Sequence, residues 1–443
     1  MKDITLNDNA AISRRDFFRN MGALGSGSLL LSAFPWLQSC GDDVKKTVDS
    51  GEKLRLGIVG TGSRGQYHMQ NLLRIPNADI VALCDDFEPH LRQAAAICPQ
   101  ATTCADYRSL LDKKDIHAVL VATPLDMHAP ITIEALQAGK HVLCEKSMAL
   151  TPEDCLAMYR AYKDSGKVLY IGQQRLFDPK FVRAMEMIHS GVIGTVGGIR
   201  TYWFRNNDWR RPVPSPEYER KINWRLYKQF SGGLMTELAT HQLQVGNWAM
   251  RMIPDTVTGY GDIVYWKDGR EVYDNVSLIY RYPGGVKMTY ESIISNKFLG
   301  LEEEILCSRG TMEPEKGKYY FEDVQPAPGI MQLINRIEHG IFDHVSFAGA
   351  SWVPETATKN AGYFIVDNAS THEGESTVGF VDDGSMQLLA SFCKAAITGR
   401  PVEALVEEAY YSSVLALLGL QAMNEQRIVT FPDEYKIPYL NFA

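Results

Sequence analysis

From residue 54 onward the apolar positions first form short unbroken runs and later alternate. Leu54–Val59, ADIVALC before Asp85, IHAVLVA before Thr123-Pro124, and HVLC before Glu145-Lys146 are each bounded by glycine, proline or charge. Unbroken runs of this length are typical of strands covered on both faces, as in a parallel sheet. Helix-compatible stretches separate them: Gln66–Arg74 after the first run, and APITIEALQAGK, opened by His128 and stopping near Gly139. Alternating strand and helix predicts βαβ units. Further on, in DNVSLIYRYPGGVKMTYESI, Val276, Leu278, Tyr280 and Tyr282 fall on every second position. Pro283-Gly284-Gly285 then turns the chain, and Val286, Met288 and Tyr290 resume the period. That is a hairpin in an antiparallel sheet with one covered face. The expected class is α/β, with an N-terminal domain on a parallel sheet. An α+β domain on an open, largely antiparallel sheet follows it.

The 443 residues, 45% hydrophobic and 22% charged, suffice for two such domains with real cores. A net charge of -8 offers no basic field to nucleic acid. The eight cysteines contain no C-x-x-C pair, and most sit in apolar stretches such as VALCDD and HVLCEK. They read as buried thiols rather than a disulfide framework or a zinc site.

The first fifty residues add a different element. Ser13-Arg14-Arg15-Asp16-Phe17-Phe18 resembles a twin-arginine export signal, and Met21–Trp36 is a weakly apolar run too short and soft for a permanent span. Leu37-Gln38-Ser39-Cys40-Gly41 resembles a lipobox, with Gln38 unusual there; acyl chains on Cys40 would hold the mature chain at a membrane. The expected organisation is a signal over 1–40, a polar tether over 41–53, a nucleotide-binding domain over 54–172 and a substrate and oligomerisation domain over 173–443. The expected location is periplasmic, as an anchored lipoprotein. The twin-arginine route carries folded proteins, so a cofactor can be loaded before export.

Gly60-Thr61-Gly62-Ser63-Arg64-Gly65 is a G-x-G-x-x-G turn between a strand and a helix. Its glycines allow a tight turn and close backbone approach to a pyrophosphate at the helix N-terminus. Asp85 lies 20 residues beyond Gly65, where a carboxylate holds the ribose hydroxyls of NAD and repels a 2′-phosphate. Asp86 is positioned to share that role, and Arg64 leaves NADP open. Ligands gather beyond the carboxyl ends of parallel strands, so Thr123, Pro124, His128, Glu145 and Lys146 all point to one crevice.

GIVGTGSRG, VATPLDMHAPITIEALQAGKHVLCEKSMAL and SGGLMTELATHQLQVGNW together resemble the Gfo/Idh/MocA oxidoreductases, and the likeness runs from about Leu54 to the C-terminus. The resemblance implies a Rossmann domain followed by an open-sheet domain, a nicotinamide cofactor and a sugar or polyol substrate. It implies that Lys146 is the lysine of a Glu-Lys-Pro segment that touches substrate and shares in proton transfer, with Ser147 replacing the proline. It also implies that Glu237 and His241 are the acid and histidine facing the nicotinamide, with Glu in place of the more usual Asp. Gln174 and Arg175 match a segment at the domain junction, where cofactor contact and interdomain packing both remain open. His128 either caps a helix or packs on the cofactor.

The chemistry agrees with these assignments. Oxidising a hydroxyl removes its proton as hydride leaves the same carbon, and histidine suits the first task. On a regular helix Glu237 and His241 are i and i+4 neighbours, so the carboxylate would orient the imidazole or bind a hydroxyl itself. Trp203, Trp209 and Trp224 fall near the substrate side, either to stack on sugar CH faces or to fill the core. No metal is expected, since His339 and His344 lack a persuasive ligand spacing.

Three functions fit. The first is an exported NAD(H)-dependent oxidoreductase acting on a sugar or glycoside hydroxyl, with carbon 3 as candidate and the cofactor recycled in place. The second is an NAD-dependent glycosidase working by transient carbon-3 oxidation and elimination, although ATHQLQV lacks the Gly and Pro expected after the Thr-His pair. The third is a sugar-binding lipoprotein without catalysis. A homo-oligomer is expected through the open sheet.

Overall fold

The structure, a computed structural model, describes residues 52–322, 363–365 and 383–438. The Arg14-Arg15 pair, Cys40, nearly all of the tether, His339 and His344 lie outside the described residues. Among the described residues no helix is long and apolar enough to cross a membrane.

The four apolar runs form strands as expected. β1 (Leu54–Val59), β2 (Ala78–Cys84), β3 (Thr102–Cys104), β4 (Ala118–Val121), β5 (His141–Cys144) and β6 (Leu169–Ile171) make a parallel sheet in the order β3-β2-β1-β4-β5-β6. All four residues of β4 are buried, as covering on both faces requires. The connecting helices are α1 (Ser63–Leu72), α2 (Glu88–Ile97), α3 (Tyr107–Leu111), α4 (His128–Gln137) and α5 (Pro152–Ser165). Local chemistry sets the limits of α5: the Thr151 side chain accepts from the Asp154 amide, Pro152 opens the helix, and Gly166 closes it with φ +62°.

After α6 (Pro179–His189) comes the second sheet. It is built from β7 (Val196–Phe204), β8 (Thr256–Asp262), β9 (Asn275–Arg281), β10 (Lys287–Ile293), β11 (Leu301–Cys307), β12 (Gly310–Glu313), β13 (Lys318–Phe321), β14 (Tyr363–Phe364) and β15 (Val429–Thr430). Its order is β14-β13-β12-β11-β7-β10-β9-β8-β15. Only the β10–β7 pair is parallel, so the sheet is mixed and mostly antiparallel. The predicted hairpin is β9–β10, with Met288 opposite Tyr280 and Tyr290 opposite Leu278, all four buried. Val286 sits half-buried at the turn instead of continuing the inner face.

α7 (Thr240–Met250) and α9 (Leu405–Glu425) pack together, and α9 also reaches α5 and β8. α9 is apolar nearly all round and buried over most of its length, as a core helix must be. α8 (Ser385–Thr398) packs on α1 and β1, so the nucleotide half takes in chain from beyond residue 172.

Candidate active site

The glycine turn separates structural glycines from a ligand-facing one. Gly60 has φ +88°, and a Cβ there would lie 2.5 Å from the Ala122 carbonyl. A Cβ on Gly65 would lie 2.1 Å from the Gly60 carbonyl oxygen. A Cβ on Gly62 would meet only the His90 ring, at 3.6 Å, an ordinary contact. Nothing inside the protein demands glycine at 62; close approach of a ligand to the amides opening α1 does. Asp85 fixes this turn: Oδ2 accepts from the Thr61 amide at 2.7 Å and hydroxyl at 3.1 Å, and Oδ1 from the Phe87 amide at 2.8 Å. Thr123, after β4, has a buried hydroxyl with no protein partner, and Pro124 leads into the turn before α4. These groups fit a dinucleotide. Two further residues, invisible as local motifs, come from the second domain. Arg211 Nη2 donates to Ser63 Oγ at 3.3 Å, and Lys221 Nζ pairs with Asp86 at 2.9 Å.

Two expected cofactor contacts are engaged elsewhere. Glu145 is buried, with Oε1 taken by Arg64 Nε at 2.6 Å and His68 Nε2 at 2.5 Å. Its Oε2 accepts from the Lys146 amide at 3.1 Å. Burial opposes its charge, yet Arg64 and His68 hold its carboxyl well below the usual range. Glu145 therefore positions Arg64. His68, fully buried and neutral through burial and the nearby Arg64, was not legible as a site residue. His128 is buried too, with ring nitrogens 2.8 Å from the Ser147 carbonyl and 3.1 Å from that of Thr123. It ties the β4 and β5 loops together.

Lys146 leaves the end of β5 and reaches the second domain. Its Nζ donates to the Glu237 carbonyl at 2.5 Å and faces that of Thr236 at 3.5 Å; Ser147 Oγ donates to the same Thr236 carbonyl at 2.9 Å. Those carbonyls belong to a π-helical turn, Met235–Ala239, directly before α7. The expected Glu237–His241 hydrogen bond is not made. The Glu237 carboxylate instead takes Arg225 Nε at 2.9 Å and Ser231 Oγ at 3.0 Å. His241 is 5% exposed, and its Nδ1 is buried with no protein partner. Burial first, then the cations of Lys146 and Arg175, hold its pKa well below the ordinary value, so the ring is neutral and able to accept a proton. Burial also lowers Lys146, against the raising effect of Glu237 and Glu145.

His241 opens onto a pocket lined by Gln174, Arg175, Phe181, Trp203, Glu315 and Asp383, among others. The Arg175 guanidinium lies 4.9 Å from the Phe181 ring and 5.8 Å from that of Trp203, and pairs with Glu303 and Glu315. Arg205 stands 4.8 Å from the Trp203 ring, so two cations already use this indole. Trp224 carries Arg225 at 4.1 Å, and Trp209 sits at φ +61° in the same covering loop. Gln174 brings a buried Oε1 without a partner. Glu303 is fully buried; burial pushes its carboxyl up to about 7 despite Arg175. The one sequence signal for it was a Glu302-Glu303-Glu304 run inside an otherwise apolar strand. Asp383, brought in just before α8, carried no local signal.

A dinucleotide cradle meets a buried lysine and a neutral histidine beneath a second sheet, the parts that a two-domain oxidoreductase site requires. Residues 54–173 match the model described as oxidoreductase family, NAD-binding Rossmann fold, and 181–313 that of the GFO/IDH/MocA C-terminal domain. Together they take in more than half of the sequence, and the chain belongs to the Gfo/Idh/MocA oxidoreductase family. It is 31% identical over 268 residues to a 1-carboxy-3-chloro-3,4-dihydroxycyclo hexa-1,5-diene dehydrogenase of Comamonas testosteroni, covering 59% of this chain and 64% of that protein. It is 31% identical over 206 residues to levoglucosan dehydrogenase of Pseudarthrobacter phenanthrenivorans, covering 44% of this chain and 51% of that protein. The chain thus spans between half and two thirds of these relatives' length. Its fold resembles levoglucosan dehydrogenase in complex with NADH and levoglucosan, with a TM-score of 0.67 at 20% identity, over 86% of this chain and 100% of that one.

Proposed function

We propose that the protein is an NAD-dependent oxidoreductase that oxidises a hydroxyl of a sugar or glycoside, with carbon 3 as the candidate position. The observation that carries this reading is the convergence of His241, neutral with an unpartnered Nδ1, and Lys146, anchored on the π-turn, beside the nucleotide cradle. The bound cofactor supplies hydride chemistry. His241 accepts the hydroxyl proton. Its depressed basicity favours passing that proton on rather than keeping it. Lys146 lends positive charge to the oxygen losing the proton. The carboxylates of Glu315 and Asp383, with Gln174, offer acceptors for the other hydroxyls.

The export reading remains part of the proposal: a chain loaded before export, anchored through Cys40, and recycling its cofactor in place on a second sugar or ketone. Arg211 and Lys221 favour that reading, because they bring the second domain over the glycine turn and Asp86, which would slow nucleotide release. The test is to isolate the mature chain, denature it and identify the released nucleotide. Glycosides are then supplied with and without a ketone acceptor. A keto sugar formed in step with acceptor reduction supports the reading. Free aglycone with no net oxidation transfers it to the glycosidase mechanism. Empty protein that takes up no NAD(H) ends both.

A further inference from the structure

Two cysteines flank the hydrogen bonds that set the nucleotide turn. Cys84 ends β2, Cys104 ends β3, and they are direct register partners in the parallel sheet. Their side chains therefore project from one face of the sheet. Adjacent strands lie about 4.8 Å apart, inside the Cα separation of about 4.4–6.8 Å that a disulfide spans. Cys84 is buried and Cys104 partly exposed, so an external reagent reaches the pair through Cys104. Cys104 Sγ lies 3.7 Å from the Leu83 carbonyl oxygen, beside the β2 backbone.

The backbone of the same two residues holds the cradle. The Cys84 carbonyl accepts from the Gly60 amide at 2.9 Å, and the Cys104 carbonyl from the Asp85 amide at 3.2 Å. The Asp85 carboxylate in turn holds the Thr61 amide. A bond between the two sulfurs would fix both strand ends at the point from which glycine turn and carboxylate are positioned.

We propose that Cys84 and Cys104 are a redox-active pair whose disulfide clamps the nucleotide turn. The oxidant is an external disulfide, such as oxidised glutathione or a protein oxidoreductase. The Cys104 thiolate attacks one of its sulfurs and expels one thiol. Cys84, on losing its proton to water, attacks the Cys104 sulfur of the mixed disulfide and expels the second. One external disulfide and two protein thiols become one protein disulfide and two external thiols. The proposed export would place the pair where such oxidants persist.

The test uses the folded full chain with oxidised glutathione, followed by alkylation and peptide mass analysis. The expected result is a cross-linked Cys84–Cys104 peptide, reversed by dithiothreitol. Hydrogen exchange at the Gly60 and Thr61 amides slows, and NADH release slows about threefold to tenfold through preorganisation. Cys104→Ser and Cys104→Ala, at a partly exposed site, fold normally and show neither response. Both thiols remaining open to alkylation after oxidation overturns the proposal. So does a disulfide that forms while exchange and NADH release stay unchanged. The exchange readout does not depend on the catalytic reading, so the two fail separately.

Discussion

The nucleotide turn and the substrate pocket differ in how much of their polar capacity the protein itself takes up. Around Gly60–Gly65, Asp85, Cys84 and Glu145 bind the protein's own amides and cations. Around His241, the imidazole Nδ1, Gln174 Oε1 and Glu303 Oε2 are buried without protein partners. Burying a polar atom unpaired costs about 1–3 kcal/mol, and a hydroxyl-bearing ligand in this pocket would recover part of that cost. The first region is built to be rigid before ligand arrives. The second holds hydrogen-bonding capacity in reserve for it.

His241→Ala tests that contrast most severely. Loss of a positioned base costs about 10³-fold in kcat, while NADH affinity, set by the other region, stays as it was. The wild-type pH profile sharpens the assignment. The His241 pKa lies well below 6.5, so its neutral form persists as pH falls through that value. The acid limb of kcat/KM for the NAD-loaded enzyme is therefore expected below pH 6.5. A limb at or above 6.5 would remove His241 as the base.

Glu145→Gln removes the carboxylate on which the rigid region converges and leaves the Arg64 charge uncompensated. Breaking a buried pair costs about 3–5 kcal/mol; Arg64 is partly exposed, so the expected loss in denaturant unfolding sits at the low end, about 3 kcal/mol. The sign with pH follows from the depressed carboxyl. Its stabilisation is fully present above the unfolded glutamate value of about 4.3 and is lost as pH falls through the folded one. The wild-type advantage over Glu145→Gln should shrink in acid and hold steady from pH 5 upward.

Within the turn itself, Gly62→Ala and Gly60→Ala should part company. Gly62 has room for a methyl group, so stability changes by under about 0.5 kcal/mol. NADH binding weakens by about 2 kcal/mol, near thirtyfold, because the methyl group stands where the ligand must approach. Gly60→Ala puts a methyl group against the Ala122 carbonyl at positive φ, and loses stability first. Calorimetry and NADH titration of the two variants read the difference directly.

How far the sequence carried the site follows the same division. The turn, Asp85 and the strand ends were legible because a strand, a glycine pattern and a following helix are neighbours in the chain, and spacing encodes their geometry. Lys146 and His241 were legible only with the family resemblance, since residues 146 and 241 meet through tertiary packing. Arg211, Glu303 and Asp383 reach the site from distant elements and leave no local period, and His68, on α1 beside the turn, joins it only through Glu145. Glu145 and His128 show a related limit. Position at a strand end says where a side chain starts, whereas its partners, Arg64 and two loop carbonyls, decide where it ends. At Glu237 the helical neighbour was the wrong partner, because Arg225 and Ser231, from the preceding loop, take the carboxylate.

That failure yields the smallest and most discriminating prediction. Were Glu237 the partner of His241, neutralising it would strip the imidazole of its orienting carboxylate, and kcat would fall by orders of magnitude. In the structure the Glu237 side chain holds Arg225 and Ser231, while its main-chain carbonyl receives Lys146. Glu237→Gln keeps that carbonyl and retains hydrogen bonds to both side chains, losing only the charge on a partly exposed ion pair worth about 1 kcal/mol or less. The expected fall in kcat is therefore less than about tenfold, with the pH profile still set by His241. A loss as deep as that of His241→Ala would mean that the carboxylate swings from Arg225 to the imidazole when substrate binds.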